Sequence, residues 1–262
     1  MFSFSIPSFA QKALVSNQDR QRVLQMLSSE LPSAKNELGD LSNGEELENL
    51  PDGLNTEAIK DALTKRKDVP LYAHNPIKGP LNAPVTIVEF SDVACQTCSD
   101  VFPDIEKLVL KYPKHIRWVH KQAPMNPFGQ NSLAGFYSKI AHEYGLFWPY
   151  RLAVRKITKH SDESLVQALV DAGVAVRNSQ QLVRLHARDV YRGLDADSAL
   201  NLRIGLKSPP AVLVNGIVIG GAIPLEKLDE IVKFELVRQG IDPQEAMASN
   251  NKDKKAQENG AL

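Results

Sequence analysis

The chain has 262 residues, of which 43% are hydrophobic, so it can bury one full core and still carry a smaller accessory region. Lysine and arginine together number 31, as do aspartate and glutamate, and this net charge of zero gives no electrostatic argument for a nucleic acid or an anionic membrane as partner. The two cysteines are too few for a disulfide-stapled scaffold. No apolar run reaches the roughly 18 to 20 residues of a membrane helix, so we expect no membrane span.

The first 67 residues predict a small helical extension, a candidate oligomerisation segment, in front of the main domain. A helical spacing of valine and leucine covers about 17–31, and a second short helix is predicted from about 55 to 67, after an acidic stretch that contains glycine and proline. These helices are too small to form a core alone, so they either pack on the main domain or associate with another copy of the chain. Residues 68–83 are predicted to be a linker. The first ten residues lack the basic start and sustained apolar core of a secretion signal.

A strand, a helix and a second strand begin the main domain, which is predicted over 84–240. The run Val-Thr-Ile-Val-Glu-Phe at 85–90 is apolar and β-branched, as is typical of a strand covered on both faces. Apolar residues then recur at helical spacing over 98–112, and 116–121 resumes a strand pattern. A right-handed crossover would make these two strands parallel neighbours.

Helices, a hairpin and a final helix follow along the chain. Only helical periodicity is seen over about 128–206, which indicates a helical insertion. The apolar runs 211–214 and 217–219 are joined by Asn215-Gly216, a strong signal for a type I′ hairpin turn. The remaining predicted elements are a helix from Pro224 and a polar, disordered tail over 241–262.

The two cysteines form the motif Cys95-Gln96-Thr97-Cys98 between a predicted buried strand and the first turn of a helix. Unpaired backbone N–H groups and the positive end of the helix dipole favour a thiolate there, and such a position can lower a thiol pKa from about 8.5 to roughly 3.5–7.5. Cys95 would be the exposed attacking sulfur, and Cys98, one turn deeper, the resolving one. A zinc site is the alternative, but it would need two more ligands, and the six histidines show no paired spacing near the motif.

The order of elements resembles the DsbA-like form of the thioredoxin fold, an α/β fold with a helical domain inserted before the terminal hairpin and helix. The resemblance covers about 84–239. The residues that carry it are Val88-Glu89-Phe90, Pro103, Lys121, Pro124, Pro210 and Val214-Asn215-Gly216. It implies a thiol:disulfide oxidoreductase without a cofactor or metal, acting on cysteine-containing protein substrates and served by a redox partner that reoxidises or reduces the cysteine pair. It also implies a periplasmic or other extracytoplasmic oxidising compartment.

The resemblance assigns substrate-binding roles around the cysteines. A proline that matches Pro210 is cis in that family and lies against the cysteine pair, so Pro209 and Pro210 are expected to bind an extended substrate peptide, with Gln96 and Thr97 beside them. Threonine or valine is usual at the position of Pro209, where proline offers a carbonyl but no N–H. Strongly oxidising relatives tend to have a histidine before the second cysteine. Because neither Gln96 nor Thr97 can add positive charge, we predict a less stabilised thiolate and a less oxidising couple.

Glu89 interrupts an otherwise apolar strand, and the resemblance places Lys121 near it on the adjacent strand. A buried carboxylate needs a partner, so these two residues are predicted to form a pair that relays protons as Cys98 changes state. The alternative is that Glu89 is an exposed edge residue and Lys121 a surface lysine.

Two questions about function stay open at the level of sequence. The pair could act as a disulfide oxidase, or as an isomerase or reductase if an external reductant keeps it reduced; in relatives resembling ScsC or DsbC an N-terminal segment joins protomers for such work. A different class of function is a chaperone-like or metal-handling protein, in which Cys95 and Cys98 would bind copper or zinc. Additional Met or His near the motif would favour that class, and 91–103 contains neither.

Overall fold

The computed structural model describes residues 65–124, 132–206, 209–220 and 224–247. The extension over 1–67 therefore lies outside the described residues except for 65–67, which are not helical.

Five strands of the described ranges form one mixed sheet in the order β1-β3-β2-β4-β5. Their bounds are β1 Ile77–Lys78, β2 Val85–Ser91, β3 Ile116–Gln122, β4 Ala211–Val214 and β5 Ile217–Gly220. β2 pairs in parallel with β3 and antiparallel with β4, and its central place explains its nearly unbroken apolar run. The predicted hairpin joins β4 to β5, where Asn215 and Gly216 have φ angles of 45° and 84°, as a type I′ turn requires.

Helices cover both faces of the sheet and also form a separate layer. They are α1 Cys98–Lys111, α2 Leu133–Glu143, α3 Phe147–Val154, α4 Asp162–Asp171, α5 Ser179–Ile204 and α6 Leu225–Arg238. One face packs on α1 and α6, and the other on the C-terminal part of α5. α2, α3, α4 and the first part of α5 build the insertion around a core of their own. This architecture confirms the predicted α/β fold with an inserted helical domain.

The segment predicted as a linker over 68–83 is part of the domain. Leu71 and Tyr72 pack against the face that α5 covers, and β1 extends the sheet by pairing with β3. A strand of two residues is too short to show a period of hydrophobicity, so the sequence pattern could not reveal it. The boundary at 240 is corrected as well, because Ala246 is buried against the core between the sheet, α1 and α6.

Residues just before that segment dock on the β4–β5 hairpin. The backbone N–H of Lys67 donates to the carbonyl of Gly216 at 2.8 Å. The guanidinium of Arg66 donates to the carbonyl of Asn215 at 2.9 Å and to the buried carboxylate of Glu235 at 2.6 Å. The chain therefore enters the domain at the hairpin turn, which is the end of β4 remote from Ala211.

Candidate active site

The two cysteines form a disulfide at the N-terminus of α1. Cys98 is the first residue of the helix, Thr97 is its N-cap, and the Cα atoms of Cys95 and Cys98 are 5.2 Å apart. The backbone N–H of Cys98 donates to Cys95 Sγ at 3.1 Å, and Thr97 Oγ1 lies 3.2 Å from the same sulfur. The donors at the start of the helix are thus directed at Cys95, the position where a thiolate would form.

The two cysteines differ in how far solvent can reach them. Cys95 is 6% exposed and Cys98 is fully buried. Gln96 and Thr97, which lie between them in the motif, are exposed. Of the two cysteines, Cys95 is therefore the one nearer to a partner sulfur that arrives from solvent.

A buried carboxylate holds the loop between β2 and the cysteines. Asp92 Oδ1 accepts hydrogen bonds from the backbone N–H of Ala94 at 2.8 Å and from Ser132 Oγ at 2.6 Å, and the Asp92 carbonyl accepts from the N–H of Cys95 at 2.9 Å. Ser132 also caps α2 by accepting from the N–H of Gly135. Asp92 thus fastens the cysteine loop to the insertion. An aspartate that bonds the backbone two residues on is a common turn signal, so its local role was readable from sequence, but Ser132 as its partner was not.

The proline pair lies at the same edge of the sheet as the cysteines. The peptide bond between Pro209 and Pro210 is cis, Pro209 is buried and Pro210 is half-buried. Ala211, the next residue, is paired with Phe90 near the end of β2, just before the loop that leads to Cys95. The start of β4 and the end of β2 therefore meet where the disulfide is placed.

Glu89 is fully buried below this edge and is paired with Arg151 of α3. The guanidinium of Arg151 donates to both carboxylate oxygens, at 2.6 and 2.8 Å, while Ser91 Oγ donates at 2.7 Å and Trp118 Nε1 at 3.1 Å. Burial by itself would raise the pKa of Glu89, but the charge and hydrogen bonds of Arg151 hold that pKa well below its usual range. Glu89 is therefore an ionised carboxylate at neutral pH.

Lys121 lies on the opposite face of the sheet, and the predicted pairing with Glu89 is corrected. In the parallel register Glu89 is level with His120, so Lys121 is one residue further on and points the other way. Lys121 Nζ instead donates to Asn75 Oδ1 at 2.7 Å and lies 3.5 Å from Asp197 Oδ1. Burial lowers the pKa of Lys121 to about 8. Both Glu89 and Lys121 have 0% exposure, so neither is a surface residue.

His120 connects the Glu89 pair to the cysteine loop. Burial lowers the pKa of His120, so the ring is neutral and one of its nitrogens must accept. Arg151 Nη1 donates to His120 Nδ1 at 3.2 Å, which leaves Nε2 as the donor to Gln122 Oε1 at 3.4 Å. The same oxygen accepts from the N–H of Val93 at 3.4 Å. The sequence pattern assigned no role in the site to His120, Arg151 or Gln122.

No group of three or more His, Cys, Asp or Glu side chains in the described ranges is arranged to hold a metal ion. A cavity of about 390 Å³ lies between the segment before β1 and the insertion, lined in part by His74, Lys139 and His142. None of the predicted site residues lines it.

The fold and the site together define a class of protein. A slightly exposed cysteine and a fully buried one share a disulfide at a helix N-terminus, and a cis proline directly precedes the neighbouring strand at that sheet edge. These are the features of a CxxC redox domain on a thioredoxin-like fold. A family model described as thioredoxin matches residues 73–234, and the chain therefore belongs to the thioredoxin family.

Solved structures share this fold at low sequence identity. The thiol-disulfide exchange protein alpha-DsbA2 from Wolbachia pipientis is 20% identical, with a TM-score of 0.55 over 67% of this chain and 92% of its own. A periplasmic thioredoxin-like protein from Salmonella enterica serovar Typhimurium is 24% identical, with a TM-score of 0.53 over 70% and 98%. Proteus mirabilis ScsC in a compact conformation is 18% identical, with a TM-score of 0.55 over 88% and 92%.

Curated relatives are of two kinds. Disulfide bond formation protein D of Bacillus subtilis is 22% identical over 191 residues, which is 69% of this chain and 84% of that protein. A Na(+)/H(+) antiporter NhaA of Herminiimonas arsenicoxydans is 25% identical over 190 residues, 69% of this chain. The matched part spans only 11 to 30% of the length of the first antiporter relatives. Among the helices of the described ranges, none combines the length and the apolar character that crossing a membrane requires.

Proposed function

We propose that this chain catalyses thiol-disulfide exchange with cysteine-containing protein substrates, through a mixed disulfide on Cys95 that Cys98 resolves. The observation that carries the proposal is the asymmetry of the disulfide. Cys95 is the less buried of the two cysteines, at 6% exposure, and faces the donors of the helix N-terminus, whereas Cys98 is fully buried. A buried resolving thiol one turn away keeps the mixed disulfide short-lived.

In the oxidising direction a substrate thiolate attacks Cys95 Sγ, and the bond between Cys95 and Cys98 breaks. Cys98 leaves as a thiolate and takes up a proton. A second substrate thiolate then attacks the substrate sulfur of the mixed disulfide, and Cys95 leaves as a thiolate. The substrate loses two electrons and gains a disulfide, and the pair Cys95 and Cys98 ends reduced. As an isomerase or reductase, the enzyme would run from the reduced pair. The Cys95 thiolate attacks a substrate disulfide and one substrate sulfur leaves as a thiolate; Cys98 can then attack Cys95 Sγ, which releases the second substrate sulfur and re-forms the bond between Cys95 and Cys98.

Substrate binding falls to the residues that surround this sulfur. Pro209 and Pro210 directly precede β4 beside the cysteine loop, where the carbonyl of Pro209 could accept from a substrate backbone N–H. Because Pro209 has no N–H of its own, it contributes half of the usual backbone pairing. Gln96 and Thr97 are exposed at the mouth of the site and would meet the residues that flank the substrate cysteine.

Two cysteine variants test the proposal. Cys98→Ser should accumulate a mixed disulfide with a disulfide-containing protein, visible as a reducible complex on gels, and Cys95→Ser should form none. Wild type should speed the refolding of a reduced or scrambled ribonuclease, and the substrate it prefers gives the direction of exchange. A mixed disulfide that forms equally well on Cys98 in Cys95→Ser would contradict the assignment, as would wild type that leaves both refolding rates unchanged.

We also infer an extracytoplasmic oxidising compartment and an oligomer built through the N-terminal extension. The periplasmic description of the Salmonella relative supports the first. The match to Proteus mirabilis ScsC covers 88% of this chain and that to its catalytic domain 69%, and this difference in coverage supports the second. The proposed oligomer is tested by light scattering on the full chain and on a truncated protein that begins at Lys65 and so keeps the Arg66 contacts. Equal monomeric masses would exclude the oligomer.

A further inference from the structure

Two hydrogen-bond donors converge on the sulfur of Cys95. One is the backbone N–H of Cys98 at 3.1 Å, which any helix that begins at this position would supply. The other is the hydroxyl of Thr97 at 3.2 Å. Because Cys95 is part of a disulfide, its sulfur carries no hydrogen, so the hydroxyl must be the donor in this contact.

The hydroxyl of Thr97 is not used to cap the helix. A threonine at an N-cap is normally in an extended conformation, with its oxygen accepting from an N–H of the first helical turn. Thr97 instead has φ −65° and ψ −29°, which is helical, and makes no side-chain capping bond. In this conformation its hydroxyl lies beside Cys95.

We propose that Thr97 is a catalytic residue whose hydroxyl, together with the N–H of Cys98, stabilises the Cys95 thiolate. This inference rests on the proposed function and assigns to Thr97 a role in the chemistry in addition to its expected contact with substrate. The thiolate forms when the sulfur–sulfur bond between Cys95 and a substrate breaks and the electron pair stays on Cys95. At that moment the hydroxyl and the N–H already face the sulfur and need no rearrangement.

The expected size of the effect follows from the exposure of Thr97 and from its lack of charge. A hydrogen bond to a charged group is stronger than a neutral one, but water can replace an exposed donor in part. We therefore expect that loss of the hydroxyl raises the pKa of the Cys95 thiol by roughly half to one unit. Because the reduced form is then less stable, the couple becomes more reducing, with a change of about 3- to 10-fold in the equilibrium with glutathione, or about 15 to 30 mV.

The test compares Thr97→Val, which has nearly the same shape without the hydroxyl, with Thr97→Ser, which keeps it. The pH dependence of alkylation of the reduced protein by iodoacetamide reports the thiol pKa, and equilibration with glutathione reports the potential. Thr97→Val should raise the pKa and make the couple more reducing, while Thr97→Ser should match wild type in both.

Values for Thr97→Val that equal wild type would overturn the proposal. Equal shifts in both variants would also overturn it, because the side chain would then act through its packing and not through its hydroxyl. Both measurements need only the cysteine pair and a small thiol or alkylating reagent. They therefore give an answer even if the chain fails to act on protein substrates, which the cysteine variants test separately.

Discussion

Arg151→Met removes the guanidinium that donates two hydrogen bonds to the buried carboxylate of Glu89. Arg151 is 2% exposed, and its guanidinium also stacks over the rings of Phe102 and Trp118. Methionine can fill much of the same space, so the main loss is charge compensation and not packing. Breaking one partner of a buried ion pair typically costs about 3 to 5 kcal/mol, because the other charge is left without compensation.

The pH dependence of this loss separates electrostatics from packing. In wild type the pKa of Glu89 is held well below its usual range, so its stabilisation is complete above about 4.5 and is lost only as the pH falls toward the folded value. In Arg151→Met burial acts without compensation and raises the pKa of Glu89 above its usual value. The destabilisation should then be largest near neutral pH and should shrink as the pH is lowered from about 8 to 5, because protonation removes the buried charge.

Urea unfolding of both proteins across that pH range measures the difference in free energy. Glu89→Gln in the Arg151→Met background removes the carboxylate charge and should recover a large part of the loss at neutral pH. Lys107→Met is the matched control, because it removes the exposed ion pair with Asp104, for which about 0.2 to 1 kcal/mol is expected. A cost for Arg151→Met below about 1 kcal/mol, or one that does not change with pH, would refute the reasoning.

Three further predictions concern the groups around the site. Burial lowers the pKa of Lys121 from 10.5 to about 8, so unfolding takes up a proton at pH values between about 8 and 10.5. The free energy of unfolding should therefore rise with pH in this window, and Lys121→Met should flatten that rise in urea titrations. An unchanged slope would count against the burial argument. Gly135→Ala would place a Cβ 2.5 Å from Gln122 Nε2, so we expect a loss of about 1 to 3 kcal/mol and a lower Tm despite the better helix propensity of alanine, and a higher Tm would contradict this. Asp92→Ala should slow thiol-disulfide exchange by on the order of tenfold more than Asp92→Asn, which keeps the accepting oxygen. Equal exchange rates in the two variants would show that the hydrogen bonds of Asp92 do not position Cys95.

Local sequence patterns were enough to predict the strand, the helix and the hairpin that surround the site. The apolar, β-branched run of β2 indicates a central strand, and the cysteines follow it at the start of a helix. Asn215-Gly216 indicates the hairpin from the backbone preferences of these two residues alone. Each of these signals depends on residues close together in the chain, where hydrogen bonding and side-chain period act directly.

Pairings between distant residues were decided only by the tertiary structure. Arg151 is 62 residues from Glu89, and Asp197 is 76 from Lys121, so no spacing in the sequence connects either pair. Which charge meets which depends on the register of β2 against β3, since a shift of one residue moves a side chain to the other face of the sheet. It depends also on how the insertion folds back, because α3 supplies Arg151 to one face and α5 supplies Asp197 to the other. The amino-acid sequence by itself thus determined where the redox cysteines lie, and packing determined which buried charges surround them.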